Sequence, residues 1–146
     1  MKLKTIIFIV FLLFLVNSII FKYFYYYNKQ NNCSIKISPS FEFSGGTIIR
    51  AIAVLKNSSF DDYQDLCQNV NTINTRIGCG GFGGGCFYQN SPNSITVSAS
   101  GRDLTYAVSI IVHETCHAIQ FSENRDISEP ECYAAGRRIL KEIIQF

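Results

Sequence analysis

Histidine is nearly absent from this chain: two of its 146 residues, His113 and His117. A metal site built on three imidazoles is therefore excluded. Blocks of like charge are missing as well. The net charge is +2 and the Lys and Arg residues are scattered, so no basic face is offered to nucleic acid, which is not an expected partner. There is no internal repeat, and no low-complexity tract beyond a short glycine cluster, "GCGGFGGGCF" at 78–87. That cluster lacks the Gly-Lys-Ser/Thr ending of a phosphate-binding loop. Its glycines suit a tight turn or a close approach of backbone to a ligand. No two of the six cysteines stand two residues apart, which leaves a four-cysteine zinc site weakly supported.

What is present begins with an apolar segment. From Thr5 to Phe21 no residue is charged and only Thr5, Asn17 and Ser18 are polar. Seventeen helical residues reach roughly 25 Å, close to the thickness of a bilayer core. Lys22 and "YFYYY" follow, the kind of residues found at a membrane interface. The expectation is an N-terminal transmembrane helix with its linker over residues 1–32, or a secreted protein if residues 1–18 are cleaved as a signal peptide. All six cysteines lie after this segment. Up to three disulfides and a luminal or extracellular domain are therefore expected over 33–146, with reduced thiols as the alternative. Cys116 with Cys132, Cys79 with Cys86 and Cys33 with Cys67 are pairings to test.

Within 33–146 the pattern predicts an α+β domain. "SSFDDYQDLCQNVNTI" places Phe60, Tyr63, Leu66, Cys67 and Val70 at helical spacing. "NSITVSAS" alternates Ile95, Val97 and Ala99 with small polar residues, as a half-buried strand does. A mostly buried helix follows, with Asp103 as its N-cap. A last helix opens at "SEPE", where Ser128 and Glu131 form a capping-box pattern around a proline in the first turn.

The buried helix carries "HETCH". His113 and His117 stand at i and i+4, so both imidazoles project from one face and can share one ion. Glu114 lies about 100° round the helix, near the metal without pointing at it. From there it can take a proton from a water that the metal acidifies. Burying two histidines and a glutamate without a partner is costly, and a metal removes that cost. A third protein ligand is needed to leave one position open. The downstream carboxylates are Asp126, Glu129 and Glu131.

With these residues the chain resembles the zincin metallopeptidases, over roughly residues 94–135. The resemblance implies one Zn²⁺ per chain held by His113 and His117, with Glu114 as general base. It also implies a peptide or protein substrate held against the strand before the helix, with "SITVSAS" as the candidate edge strand. "SEPECYAAGRR" resembles the Glu-x-x-Ala-Tyr string of the gluzincin branch, with Cys132 in place of alanine. It implies Glu129 as third ligand with Tyr133 on the same face; Glu131 is the other candidate. The expected architecture is a minimal zincin-like domain behind the transmembrane helix: a short β-sheet, the active-site helix and a ligand-bearing C-terminal helix. The expected function is a membrane-anchored zinc metallopeptidase. The alternative is a catalytically degenerate, metal-binding zincin domain acting as a membrane-tethered binding or assembly protein. Tyr106, Tyr133, Arg137 and Arg138 receive no role from the sequence.

Overall fold

The computed structural model describes residues 3–38, 45–77, 84–99 and 103–144, with the side chains inside the first helix described for 5–16 and 24. Among the described residues the chain is α+β, with five α-helices and one five-stranded sheet. Helix α1 is Leu3–Phe24, followed by strand β1 (Tyr25–Asn28), a 3-10 turn (Lys29–Asn31) and β2 (Cys33–Ser38). Helices α2 (Gly45–Ser58) and α3 (Phe60–Asn69) precede the short strands β3 (Thr72–Asn74), β4 (Gly85–Phe87) and β5 (Ser94–Val97). Helices α4 (Leu104–Ser122) and α5 (Glu129–Ile144) complete the domain.

The expected transmembrane helix is corrected. Among the described residues no helix is long and apolar enough to cross a membrane. The tyrosines that follow do not mark an interface either: Tyr25, Tyr26 and Tyr27 form β1, paired antiparallel with β2. The Tyr26 hydroxyl donates to that of the fully buried Tyr63 at 3.1 Å. The single-pass placement falls with the helix. The disulfides fit an oxidising compartment.

The sheet order is β1-β2-β3-β5-β4. β2, β3 and β5 run parallel, with β1 and β4 antiparallel at the two edges. The strand expected at the edge, β5, is therefore interior, and the edge belongs to β4, built from the end of the glycine cluster. β2 shows the period of two that buries one face: Cys33, Ile35 and Ile37 are inside, Ser34 and Lys36 outside. Helix α2, with Ile48, Ala51, Ile52 and Leu55 buried, has no counterpart among the sequence-based expectations. Helix α3 opens with Asp61 and Asp62 against its N-terminal dipole and buries Tyr63 and Leu66.

Helix α4 packs against α2, α3, α5, β4 and β5, which explains why so much of it is buried. Its start is fixed by the Asp103 carboxylate, which accepts from the Tyr106 N–H at 2.8 Å. Two disulfides tie the helices down: Cys33–Cys67 joins β2 to α3, and Cys116–Cys132 joins α4 to α5. Cys86 is also disulfide-bonded, while Cys79, its expected partner, lies outside the described residues.

Candidate metal centre

His113 and His117 project from α4 on consecutive turns, with their Nε2 atoms 3.2 Å apart. Glu129, the first residue of α5, brings Oε2 to 3.3 Å from His113 Nε2 and Oε1 to 3.5 Å from His117 Nε2. These three residues form the metal-competent cluster found among the described residues. Only eleven residues separate His117 from Glu129, and the return is made by a tight turn with Asn124 at φ 55°. Asparagine tolerates that left-handed conformation better than most residues. Pro130 then sits in the first turn of α5, where a missing N–H costs nothing.

The donor spacings fit a small cation. Four ligands arranged tetrahedrally at 2.0–2.1 Å from an ion stand about 3.3 Å from one another. The His117 tautomer suits this role. Its Nδ1 lies 3.2 Å from Gln120 Oε1, and a proton assigned to that bond leaves the Nε2 lone pair for the cluster. His113 makes a hydrogen bond to the Cys132 backbone. Burial, and then the neighbouring His117, lower the His113 pKa below its ordinary 6.5, which favours the neutral, ligand-competent ring.

Gln120 was not anticipated from sequence, although its position three residues after His117 places it on the ligand face. It is fully buried and its amide is saturated. Oε1 also accepts from the Ser128 N–H at 3.1 Å, and Nε2 donates to Glu131 Oε2 at 3.0 Å. This replaces the expected capping box, since the N–H that Glu131 would have taken goes to Gln120. Glu131 itself turns to Arg125, whose Nη1 lies 3.0 Å from both its oxygens. Those bonds, with the one from Gln120, hold Glu131 below the ordinary carboxylate value. The structure thus brings Glu129 to the histidines and sends Glu131 elsewhere; Asp126 is not part of the cluster.

Glu114 is 4 % exposed, with Oε1 4.0 Å from His113 Nε2. Burial, and then the charge of Glu129, push its pKa up to about 8. It lies against the edge strand. A Cβ on Gly85 would stand 2.5 Å from Glu114 Oε1 and 2.6 Å from Ile110 Cγ2, so only glycine allows the carboxylate this place. The close approach suggested by the glycine cluster is thus to Glu114.

The cluster opens into a cleft of about 600 Å³ between β4 and the α4–α5 pair, lined among others by Phe87, Tyr106, Tyr133 and Arg137. The Tyr133 ring is centred 4.5 Å from that of His113. Arg138 lies away from it, holding Asp62 through two bonds of 3.0 and 2.6 Å. Cys132 Sγ is 3.4 Å from His117 Nδ1, so the α4–α5 disulfide is part of the wall behind the ligands.

The chain matches no family model, no curated protein and no solved structure.

Proposed function

We propose that this chain is a zinc-dependent metallopeptidase of minimal zincin-like architecture, hydrolysing peptide bonds in the cleft between β4 and α5. The observation that carries the reading is the convergence of His113, His117 and Glu129 at 3.2–3.5 Å beside the buried carboxylate of Glu114. Two imidazoles and one carboxylate are the ligand set of hydrolytic zinc sites that keep a fourth position open. Zinc suits these donors and this spacing better than calcium or magnesium, which prefer more numerous oxygen ligands.

A bound zinc ion would supply Lewis acidity toward the substrate carbonyl and bring the pKa of water to about 7. The chain's own residues supply the rest. Glu114 Oε1 accepts a proton from the attacking water and returns it to the leaving amine. A carboxylate beside the ligands, 4.0 Å from His113 Nε2, is placed for both transfers. Gln120 fixes the His117 ring so that Nε2 is presented. Gly85 leaves room for the Glu114 carboxylate, and β4 walls the cleft in which the substrate chain lies.

The test is cleavage of an unstructured protein by the zinc-loaded chain, with Glu114→Gln as control. The account expects cleavage by wild type and a loss of about 10²–10⁴-fold in the variant, with zinc retained in both. Zinc binding without cleavage would instead assign the chain to the non-catalytic class, a metal-stabilised binding domain.

A further inference from the structure

We infer that the substrate carries a carboxylate within about three residues of the scissile bond, and that Arg137 binds it; the inference rests on the peptidase reading above. The cleft follows the antiparallel seam of α4 and α5. His117 faces Glu129, His113 faces Tyr133, and the Ser109 hydroxyl donates to the Gly136 carbonyl at 3.0 Å. Farther along the seam the cleft is lined by Tyr106, Leu140 and Arg137.

Among the described residues Arg137, itself exposed, is the one basic side chain lining this cleft besides the two histidines. Among the described residues no carboxylate pairs with it, whereas its neighbour Arg138 holds both Asp62 and Glu142. An ionised guanidinium in a substrate cleft, with no carboxylate partner among the described residues, is a fork for a carboxylate from outside. A cation on a half-apolar wall also disfavours a basic group at the same place.

The spacing gives the range. Arg137 follows Glu129 by eight residues, about 12 Å along the helix. Helical side chains lean toward the N-terminus, which brings the guanidinium back toward the metal cluster. An extended peptide advances about 3.3 Å per residue, so the carboxylate falls two or three residues from the bond cut. An Asp or Glu side chain and a chain-terminal carboxylate offer the same chemistry at that distance.

The test uses the full chain loaded with zinc and a set of fluorogenic peptides. In one arm the peptides are amidated at the C-terminus and carry Glu or Gln at each of the three positions on either side of the scissile bond. In the other, one neutral peptide ends as free acid or as amide. Cleavage is measured with wild type, Arg137→Lys and Arg137→Glu; binding is measured by anisotropy on Glu114→Gln, with and without Arg137→Glu. We expect the acidic or free-acid peptide to be favoured about tenfold in kcat/KM. The preference is reduced in Arg137→Lys and inverted in Arg137→Glu. A preference in the first arm alone assigns the carboxylate to a side chain, and in the second alone to a chain terminus. Equal use of all peptides, or a preference untouched by Arg137→Glu, overturns the inference while leaving the peptidase reading in place. Arg137-dependent binding without any cleavage ends the peptidase reading, and with it the placement relative to a scissile bond, and leaves Arg137 only as a carboxylate-binding residue of the cleft. Neither binding nor cleavage overturns both.

Discussion

Gln120 Oε1 stands 3.2 Å from His117 Nδ1, and the Gln120 amide nitrogen reaches Glu131 at 3.0 Å. One buried glutamine therefore links a metal-ligand histidine to the Arg125–Glu131 pair on the far side of the return loop. Removing such a partner typically weakens metal affinity by about 10–100-fold. Gln120→Ala is expected to fall in that range in a competition titration against a chromophoric zinc chelator. An unchanged affinity in a folded variant would show that His117 is oriented by packing alone.

The two described disulfides should separate by function. Cys116–Cys132 closes a span of 16 residues and adjoins the ligands; Cys33–Cys67 closes 34 residues at the α3 side. Replacing both members of either pair by serine is expected to cost about 3–4 kcal/mol in urea unfolding. Zinc affinity should drop sharply only in the Cys116→Ser/Cys132→Ser variant, because only that bond fixes α5, and Glu129 with it, against α4. Equal affinity losses in the two variants would contradict this division.

Stability of the metal-free chain should depend on pH through Glu114. Its pKa is raised in the fold from 4.5 to about 8. Between those values the folded chain keeps a proton that the unfolded chain has lost. Folding stability contributed by this group is thus full below about pH 4.5, declines as pH rises, and is gone above about 8. In the presence of a chelator, the melting temperature of wild type is expected to fall relative to Glu114→Gln between pH 5 and 8. Parallel curves would mean that the carboxylate is solvated rather than buried against Gly85.

Much of the site was legible because helices repeat locally. The i, i+4 spacing of His113 and His117, the Asp103 cap and the extent of α4 and α5 follow from residues within two turns of one another. Glu129 was reachable by resemblance, though not from residue type alone, since Glu131 and Asp126 offer the same chemistry. What decides between Glu129 and Glu131 is where the Asn124 turn aims the start of α5, and that depends on Gln120 and Arg125. Non-local pairing was harder to read. The alternation in "SITV" marks a strand but says nothing of its neighbours, so it cannot show that β4 pairs outside β5 and takes the edge. The apolar run at the N-terminus was read by hydropathy as a membrane span. The tyrosines after it are claimed instead by β2 and Tyr63, contacts invisible to a local window.

The most direct test of the central claim is the zinc content of the purified, oxidised chain, compared with Glu129→Ala and Glu131→Ala. The account requires one zinc per chain in wild type, loss of at least most of it in Glu129→Ala, and retention in Glu131→Ala. No zinc in a correctly folded wild type would contradict it, as would loss confined to Glu131→Ala, which would place the third ligand on the residue the fold turns toward Arg125.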